Sequence, residues 1–198
     1  MSQAGHVFVI TGPSGVGKGT LISALMERMP ELRLSVSATT RPPRPGEQDG
    51  EQYHFMSPAE FGEHVRSGDF VEHVTYAGFS YGTLRGELDR RVTAGVPVLL
   101  EIEVEGARLV RTALPHATLI FIAPPAVAEL RARLLGRGTD DPAKIERRLL
   151  VAEEELRAAP EFGHVVHNDE LPRALAQLEA IVRDTLDATE AVRAPAGA

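Results

Sequence analysis

The run Gly12-Pro13-Ser14-Gly15-Val16-Gly17-Lys18-Gly19-Thr20 constrains this chain more than any other stretch of it. Its spacing fits G-x-x-x-x-G-K, the loop whose backbone N–H groups cradle a nucleotide's phosphates at a helix N-terminus. Lys18 and Lys144 are the only lysines among 21 basic residues, so arginine serves almost wherever positive charge is needed. A lysine kept at this point suggests a task for a compact, flexible ammonium reaching between phosphate oxygens. A plain glycine-rich turn could have the same composition, but the flanks argue against it. His6 to Thr11 is a short apolar, β-branched run, and Thr20 to Met29 carries Leu21, Leu25 and Met29 at helical spacing. Strand, glycine loop, helix is the order the motif requires.

The remaining composition narrows the classes. A length of 198 residues suits one domain with a sizeable core. A net charge of -7 and a pI near 5.5 argue against a nucleic-acid partner. The absence of cysteine excludes disulfides and thiolate chemistry and suits a reducing, cytoplasmic setting. No basic segment followed by an apolar stretch opens the chain, and no apolar run approaches the roughly 18 residues of a membrane span. Neither a signal peptide nor a membrane association is therefore expected. His164 and His167 stand three apart, but in a segment that reads as a strand, which argues against a metal pair. Nothing in the sequence decides between a monomer and a homodimer.

Strand-like and helix-like segments alternate along the chain, which predicts a doubly wound α/β fold with a parallel sheet flanked by helices. Leu34 to Ala38 reads as a strand, followed by the loop Thr39 to Gly46. Ser57 to Glu60 is a capping-box signature that opens a helix running to about Arg66. Phe70 to Tyr76 and Phe79 to Gly82 read as strands joined by a turn at Ala77-Gly78. Leu84 to Ala94 reads as a helix, Pro97 to Val104 as a strand, Gly106 to Thr112 as a helix, and Thr118 to Ala123 as a buried parallel strand. Further helices are predicted over Pro125 to Leu135, Pro142 to Ala158 and Pro172 to Ala188, with a short strand near Val165 and a frayed tail from Ala191. The predicted organisation is a core over residues 1–37, 91–130 and 149–190, an inserted subdomain over 38–90 and a lid over 131–148.

A phosphate loop alone names a nucleotide, not a reaction. Guanine-reading GTPases need N-K-x-D, which two lysines at 18 and 144 do not supply. In Ser37 to Gly46, Arg41 and Arg44 stand among prolines and could offer two guanidinium forks to one phosphate. The same segment reads equally as a solvated proline-rich loop or a PxxP ligand. Glu72 alone reads as a solvent-facing strand residue, and His73 beside it as structural. Arginines between Leu130 and Leu150 read by themselves as a solvated helix face, although Arg137 between two glycines fits that poorly. Strand alternation places Glu101, Glu103 and Glu105 on one face at a strand's C-terminal end, where they could serve a Mg²⁺ ion and an acceptor site.

Taken in order, Gly12 to Lys18, Ser35 to Glu47, Tyr53-His54-Phe55, Tyr81-Gly82-Thr83, and Phe121 to Pro125 with Gly136 to Thr139 resemble the guanylate kinase family. The resemblance runs from about residue 7 to Asn168. That family transfers the γ-phosphate of ATP to GMP or dGMP with Mg²⁺, in purine nucleotide metabolism. Its members have a P-loop kinase core, an inserted NMP-binding subdomain and an arginine-bearing lid. The resemblance implies that ATP is bound by Gly12, Pro13, Ser14, Gly15, Val16, Gly17, Lys18, Gly19 and Thr20, with Arg133, Arg137 and Asn168. It assigns the GMP phosphate to Arg41, Arg44, Tyr53 and Tyr81, and the guanine to Ser37, Glu72 and Thr83, with Glu103 beside them. Glu72 suits guanine because a carboxylate accepts from N1–H and the 2-amino group together, a donor pair adenine lacks. Lys18, Arg44, Arg137 and Arg148 would act on the transferring group, and Thr20 and Glu101 would reach Mg²⁺ mostly through water.

Three positions depart from the family's pattern. Gly19 stands where Ser or Thr is usual, Glu103 where Asp is usual, and Glu105 where Gln is usual. Two rivals remain at this stage. One is another small-molecule P-loop kinase, of the ribose-phosphate type. The other is a non-catalytic guanylate-kinase-like module that binds phosphopeptides, against which the intact Gly12, Gly17 and Lys18 argue.

Overall fold

Apolar runs fold as buried strands and amphipathic runs as helices, in the order β1 (Val7–Thr11), α1 (Lys18–Arg28), β2 (Arg33–Leu34), β3 (Ser37–Thr39), β4 (Tyr53–Phe55), α2 (Pro58–Ser67), β5 (Phe70–Tyr76), β6 (Phe79–Leu84), α3 (Arg85–Thr93), β7 (Val98–Glu101), α4 (Val104–Ala113), β8 (Thr118–Ala123), α5 (Pro142–Arg157), β9 (His164–His167) and α6 (Leu171–Arg193). This computed structural model describes residues 4–126, 129 and 142–193. The chain divides into two units, one of Phe8–Glu31 with Thr118–Ala198, the other of Met1–Val7 with Leu32–Ala117.

The first unit carries the glycine loop. Strands β1, β8 and β9 run parallel, with Phe8 opposite Thr118 and Ile120 opposite His164. Phe8, Val9, Ile10, Ile120, Phe121 and Ile122 are all buried, because helices cover both faces of such a strand and leave no polar side. Helix α1 buries Leu21, Ile22 and Leu25, and α6 buries Leu175, Leu178 and Val182, each at helical spacing.

The second unit holds a four-stranded sheet in the order β4-β3-β6-β5. Ala77 and Gly78 both have positive φ, which gives the two-residue hairpin between β5 and β6 its turn. One sheet face packs Ala38 and Phe70 against Phe61 of α2, with Met56, Val65 and Leu84 around them. The Ser57 capping box of α2 is formed as the sequence predicts. Buried Glu87 joins three segments, accepting from Val36 N–H and pairing with His54 and Arg91. It lines a cavity of about 520 Å³ with His64 and Arg90, which contains none of the predicted site residues.

Several expectations need correction. Leu34 to Ala38 is not one strand: β2 pairs with β7, while β3 joins the four-stranded sheet. The chain changes sheets at Ser35-Val36, where Ser35 N–H donates to Leu99 O and Val36 N–H to the Glu87 carboxylate. The strand expected over Pro97 to Val104 stops at Glu101, and α4 begins at Val104. Val104, Ala107 and Val110 are buried at helical spacing, and the carboxylates suit a helix N-terminus. Glu103 is therefore the N-cap residue of α4 and Glu105 lies in its first turn, not in strand alternation with Glu101. Helix α6 extends to Arg193, past the predicted end at Ala188. Among the described residues, no helix is long and apolar enough to cross a membrane.

Candidate active site

The glycine loop leaves β1 and returns as α1 through a backbone that only glycine adopts readily. Gly12, Gly15 and Gly17 have φ of 139°, 86° and 98°. A Cβ on Gly12 would stand 2.2 Å from Ile122 O, and one on Gly17 2.6 Å from the Asn168 side-chain nitrogen. Lys18 is 8% exposed, and its Nζ donates to Gly12 O at 2.6 Å and Pro13 O at 3.2 Å. The ammonium is thus folded back over its own loop. Gly19 and Thr20 are exposed on the first turn of α1.

Asn168, predicted to meet ATP, lies just past β9. Its side-chain amide donates to Val16 O at 2.8 Å, and its backbone N–H to Ala123 O at 2.8 Å. Arg133 and Arg137 lie outside the described residues, as do most of the helix expected over Pro125 to Leu135 and positions 131–141 of the expected lid. The backbone of Arg148 belongs to α5; its side chain is outside the description.

The predicted GMP residues fall in the other unit, most of them on one sheet face. Paired residues point to the same side of a sheet. Ser37 pairs with Tyr53, Thr39 with both Phe55 and Tyr81, and Glu72 with Thr83. The Tyr53 and Tyr81 rings meet edge-on at 6.0 Å. A β-bulge between Phe70 and Glu72 shifts the register, so Phe70, Val71 and Glu72 are all buried. Glu72 is only 4% exposed, contrary to the solvent-facing reading of its strand. Thr83 Oγ1 donates to Glu72 Oε1 at 2.7 Å. Burial raises the Glu72 pKa, and the hydrogen bonds from Thr83 oppose that rise.

Arg41 is 8% exposed and makes a paired contact with Glu47. Its guanidinium also lies 5.3 Å from the Tyr53 ring centroid and 5.7 Å from that of Phe55. The turn Arg44-Pro45-Gly46-Glu47 returns the chain, with Gly46 at φ 88° and Glu47 N–H bonded to Arg44 O. Arg44 is exposed, and its backbone N–H donates to Glu47 Oε2 at 2.7 Å. The Tyr53 phenol has a raised pKa, first through burial and then through Tyr81 and Glu101, with Glu103 adding a smaller push. Glu103 Oε2 is buried without a hydrogen-bond partner among the described residues. Exposed His73 meets the Phe61 and Phe70 rings, which fits its structural reading.

Sequence reasoning gave no role to Glu47, Phe55, Thr39 or Gly106. Thr39 Oγ1 accepts from the Arg41 N–H and donates to Ser80 O. Glu47 had a legible signal, since a Pro-Gly turn places a carboxylate beside two arginines. Gly106 had none, because its neighbour is distant in sequence.

A family model described as guanylate kinase matches residues 4–185. The guanylate kinase of Frankia casuarinae is 55% identical over 174 residues, covering 88% of this chain and 95% of that one. The guanylate kinase of Synechococcus sp. strain CC9311 is 57% identical over 171 residues, covering 86% of this chain and 90% of its own. The crystal structure of guanylate kinase from Anaplasma phagocytophilum superposes with a TM-score of 0.76 at 30% identity, covering 92% of this chain and 87% of that chain. A family model over residues 4–185 and relatives more than half identical over most of their length show it plainly: this chain belongs to the guanylate kinase family.

Proposed function

We propose that this chain transfers the γ-phosphate of ATP to GMP, and to dGMP, giving ADP and GDP. The observation that carries the reading is the buried Glu72 carboxylate, fixed by Thr83 on the face that also presents Ser37, Tyr53 and Tyr81. A buried carboxylate needs donors to offset its lost hydration, and guanine brings two in the right arrangement. A ribose-phosphate acceptor would bring no base to read. A phosphopeptide module would not need the positive-φ glycines and tucked lysine of an intact phosphate loop.

In this reading the backbone N–H groups of Gly12 to Thr20 hold the ATP phosphates, and Lys18 moves from its loop carbonyls to the transferring group. Asn168 supports the loop from behind. Arg41, Arg44, Tyr53 and Tyr81 hold the acceptor phosphate; Ser37, Glu72 and Thr83 read the base, and Glu103 flanks it. Arg133, Arg137 and Arg148 complete the charge balance from a lid over 131–148. No general base is required, because the acceptor phosphate is already anionic at neutral pH, with a second pKa of about 6. The exposed Thr20 hydroxyl at the start of α1 and the exposed Glu101 carboxylate at the end of β7 are each oxygen donors of the kind Mg²⁺ would take, mostly through water. When bound, it neutralises phosphate charge. An NMP-binding subdomain over 38–90, a cytoplasmic setting and action on free nucleotides complete the proposal.

The test is a coupled assay of ADP formation with ATP and a panel of monophosphates. Hydrogen-bond reading of the base should separate GMP from AMP and UMP by about 10⁴ in kcat/KM. AMP or UMP turning over within tenfold of GMP would defeat it.

A further inference from the structure

We propose that Gly106 determines base specificity in the acceptor site, by leaving the Glu72 carboxylate room that any larger residue would fill. The inference rests on the reading of Glu72 as the guanine-binding group. Gly106 is buried in the first turn of α4. A Cβ built there would stand 3.0 Å from Glu72 Oε2, 3.5 Å from its carboxyl carbon and 3.6 Å from Ile102 Cβ.

The backbone does not demand glycine. Gly106 is absent from the positive-φ glycines, and alanine is the better helix former. What the missing side chain supplies is space. Glu72 has little freedom to yield it, being 4% exposed, seated by a bulge and held at Oε1 by Thr83. A methyl group against Oε2 would turn the carboxylate plane. Guanine recognition needs both oxygens aligned, one for N1–H and one for the 2-amino group, and buried hydrogen-bond reading is steep in geometry.

The experiment compares Gly106→Ala with Gly86→Ala, a helical glycine whose added Cβ would meet nothing within 4 Å. Each is assayed with ATP and either GMP or inosine monophosphate, which lacks the 2-amino group. Gly106→Ala should lower the ratio of kcat/KM for GMP over inosine monophosphate by about tenfold, with the KM for ATP unchanged. Gly86→Ala should leave the ratio as it is. An unchanged ratio in folded Gly106→Ala overturns the inference. A parent enzyme with no preference for GMP over inosine monophosphate overturns the reading of Glu72 itself. Should Gly106→Ala not fold, Glu72→Asp is compared by melting temperature with Glu72→Asp/Gly106→Ala. The shorter carboxylate clears the alanine, so a double variant melting at or above Glu72→Asp supports the contact, and one that melts below it or does not fold overturns the inference.

Discussion

Arg41 and Glu47 face each other fork to fork, Nη1 to Oε2 and Nη2 to Oε1, both at 2.9 Å. A second Nη1 hydrogen bond goes to Pro42 O at 2.8 Å. The pairing fixes the guanidinium plane beside Tyr53 and Phe55 and leaves Arg44 the more exposed of the two arginines. Hydrogen bonds from Arg41, then from the Arg44 backbone, hold the Glu47 carboxyl below its ordinary pKa.

Glu47→Ala should therefore weaken acceptor binding without touching the donor. We expect the KM for GMP to rise about tenfold, the share of one charge-assisted contact, while the KM for ATP stays put. Steady-state kinetics with each substrate varied in turn decides it. Equal rises in both KM values would show that Glu47 supports the fold generally.

Asn168→Ala removes the amide that donates to Val16 O at 2.8 Å. Taking one partner from a buried hydrogen bond costs about 1–3 kcal/mol, and here it would loosen the phosphate loop. The KM for ATP should rise while the KM for GMP holds. The reverse pattern would detach Asn168 from the donor site.

Lys18→Met should leave a folded protein that turns over at least about 100-fold more slowly, as when one donor to a developing charge is lost. A rise in the KM for ATP with an intact turnover rate would mean that Lys18 serves ground-state binding only.

The sequence made the loop legible because each of its constraints is local. Gly12 and Gly17 need positive φ within one turn of chain, and β1 and α1 flank them in order. The hairpin turn at Ala77-Gly78 and the Ser57 cap were legible for the same reason. The burial of Glu72 was not, because strand alternation assumes a regular ladder and the bulge at Phe70–Glu72 breaks it; only the family resemblance pointed to that residue. Glu103 was misread as a strand residue, since Glu-x-Glu-x-Glu fits a two-residue period until Val104, Ala107 and Val110 are seen to share a helix face. Gly106 and Asn168 act on Glu72 and Val16 from elsewhere in the chain, and periodicity carries no such information.

The raised pKa of Glu72 has a sign that can be tested. The folded state binds this proton more tightly than the unfolded chain, so its favourable contribution is fully present below the ordinary value of 4.5 and is lost as pH rises through the folded value. Glu72→Gln cannot ionise, so its stability relative to the parent should improve as pH rises from 4 towards neutrality. Chemical denaturation across that range measures it. GMP affinity should move the other way in the parent, falling as acid protonates the carboxylate, and Glu72→Gln should bind GMP weakly at every pH. A stability difference independent of pH would mean that Glu72 is not desolvated.

Gly19 is exposed at the second position of α1, where many phosphate loops carry a hydroxyl that binds Mg²⁺. Its absence need not silence the enzyme. Mg²⁺ gives up water reluctantly and is often held by phosphates, waters and few protein groups. Thr20 follows directly and is exposed too, so its hydroxyl would be open to hold a water where other loops offer a hydroxyl of their own. Glycine inside a helix costs roughly 1 kcal/mol relative to alanine, which serine would partly recover as added stability. Gly19→Ser, assayed across a Mg²⁺ titration with saturating ATP and GMP, should change the turnover rate less than tenfold and raise the melting temperature slightly. Turnover faster by about 100-fold or more would show that glycine at this position cripples the parent chain, and would reopen the non-catalytic reading that the intact loop otherwise argues against.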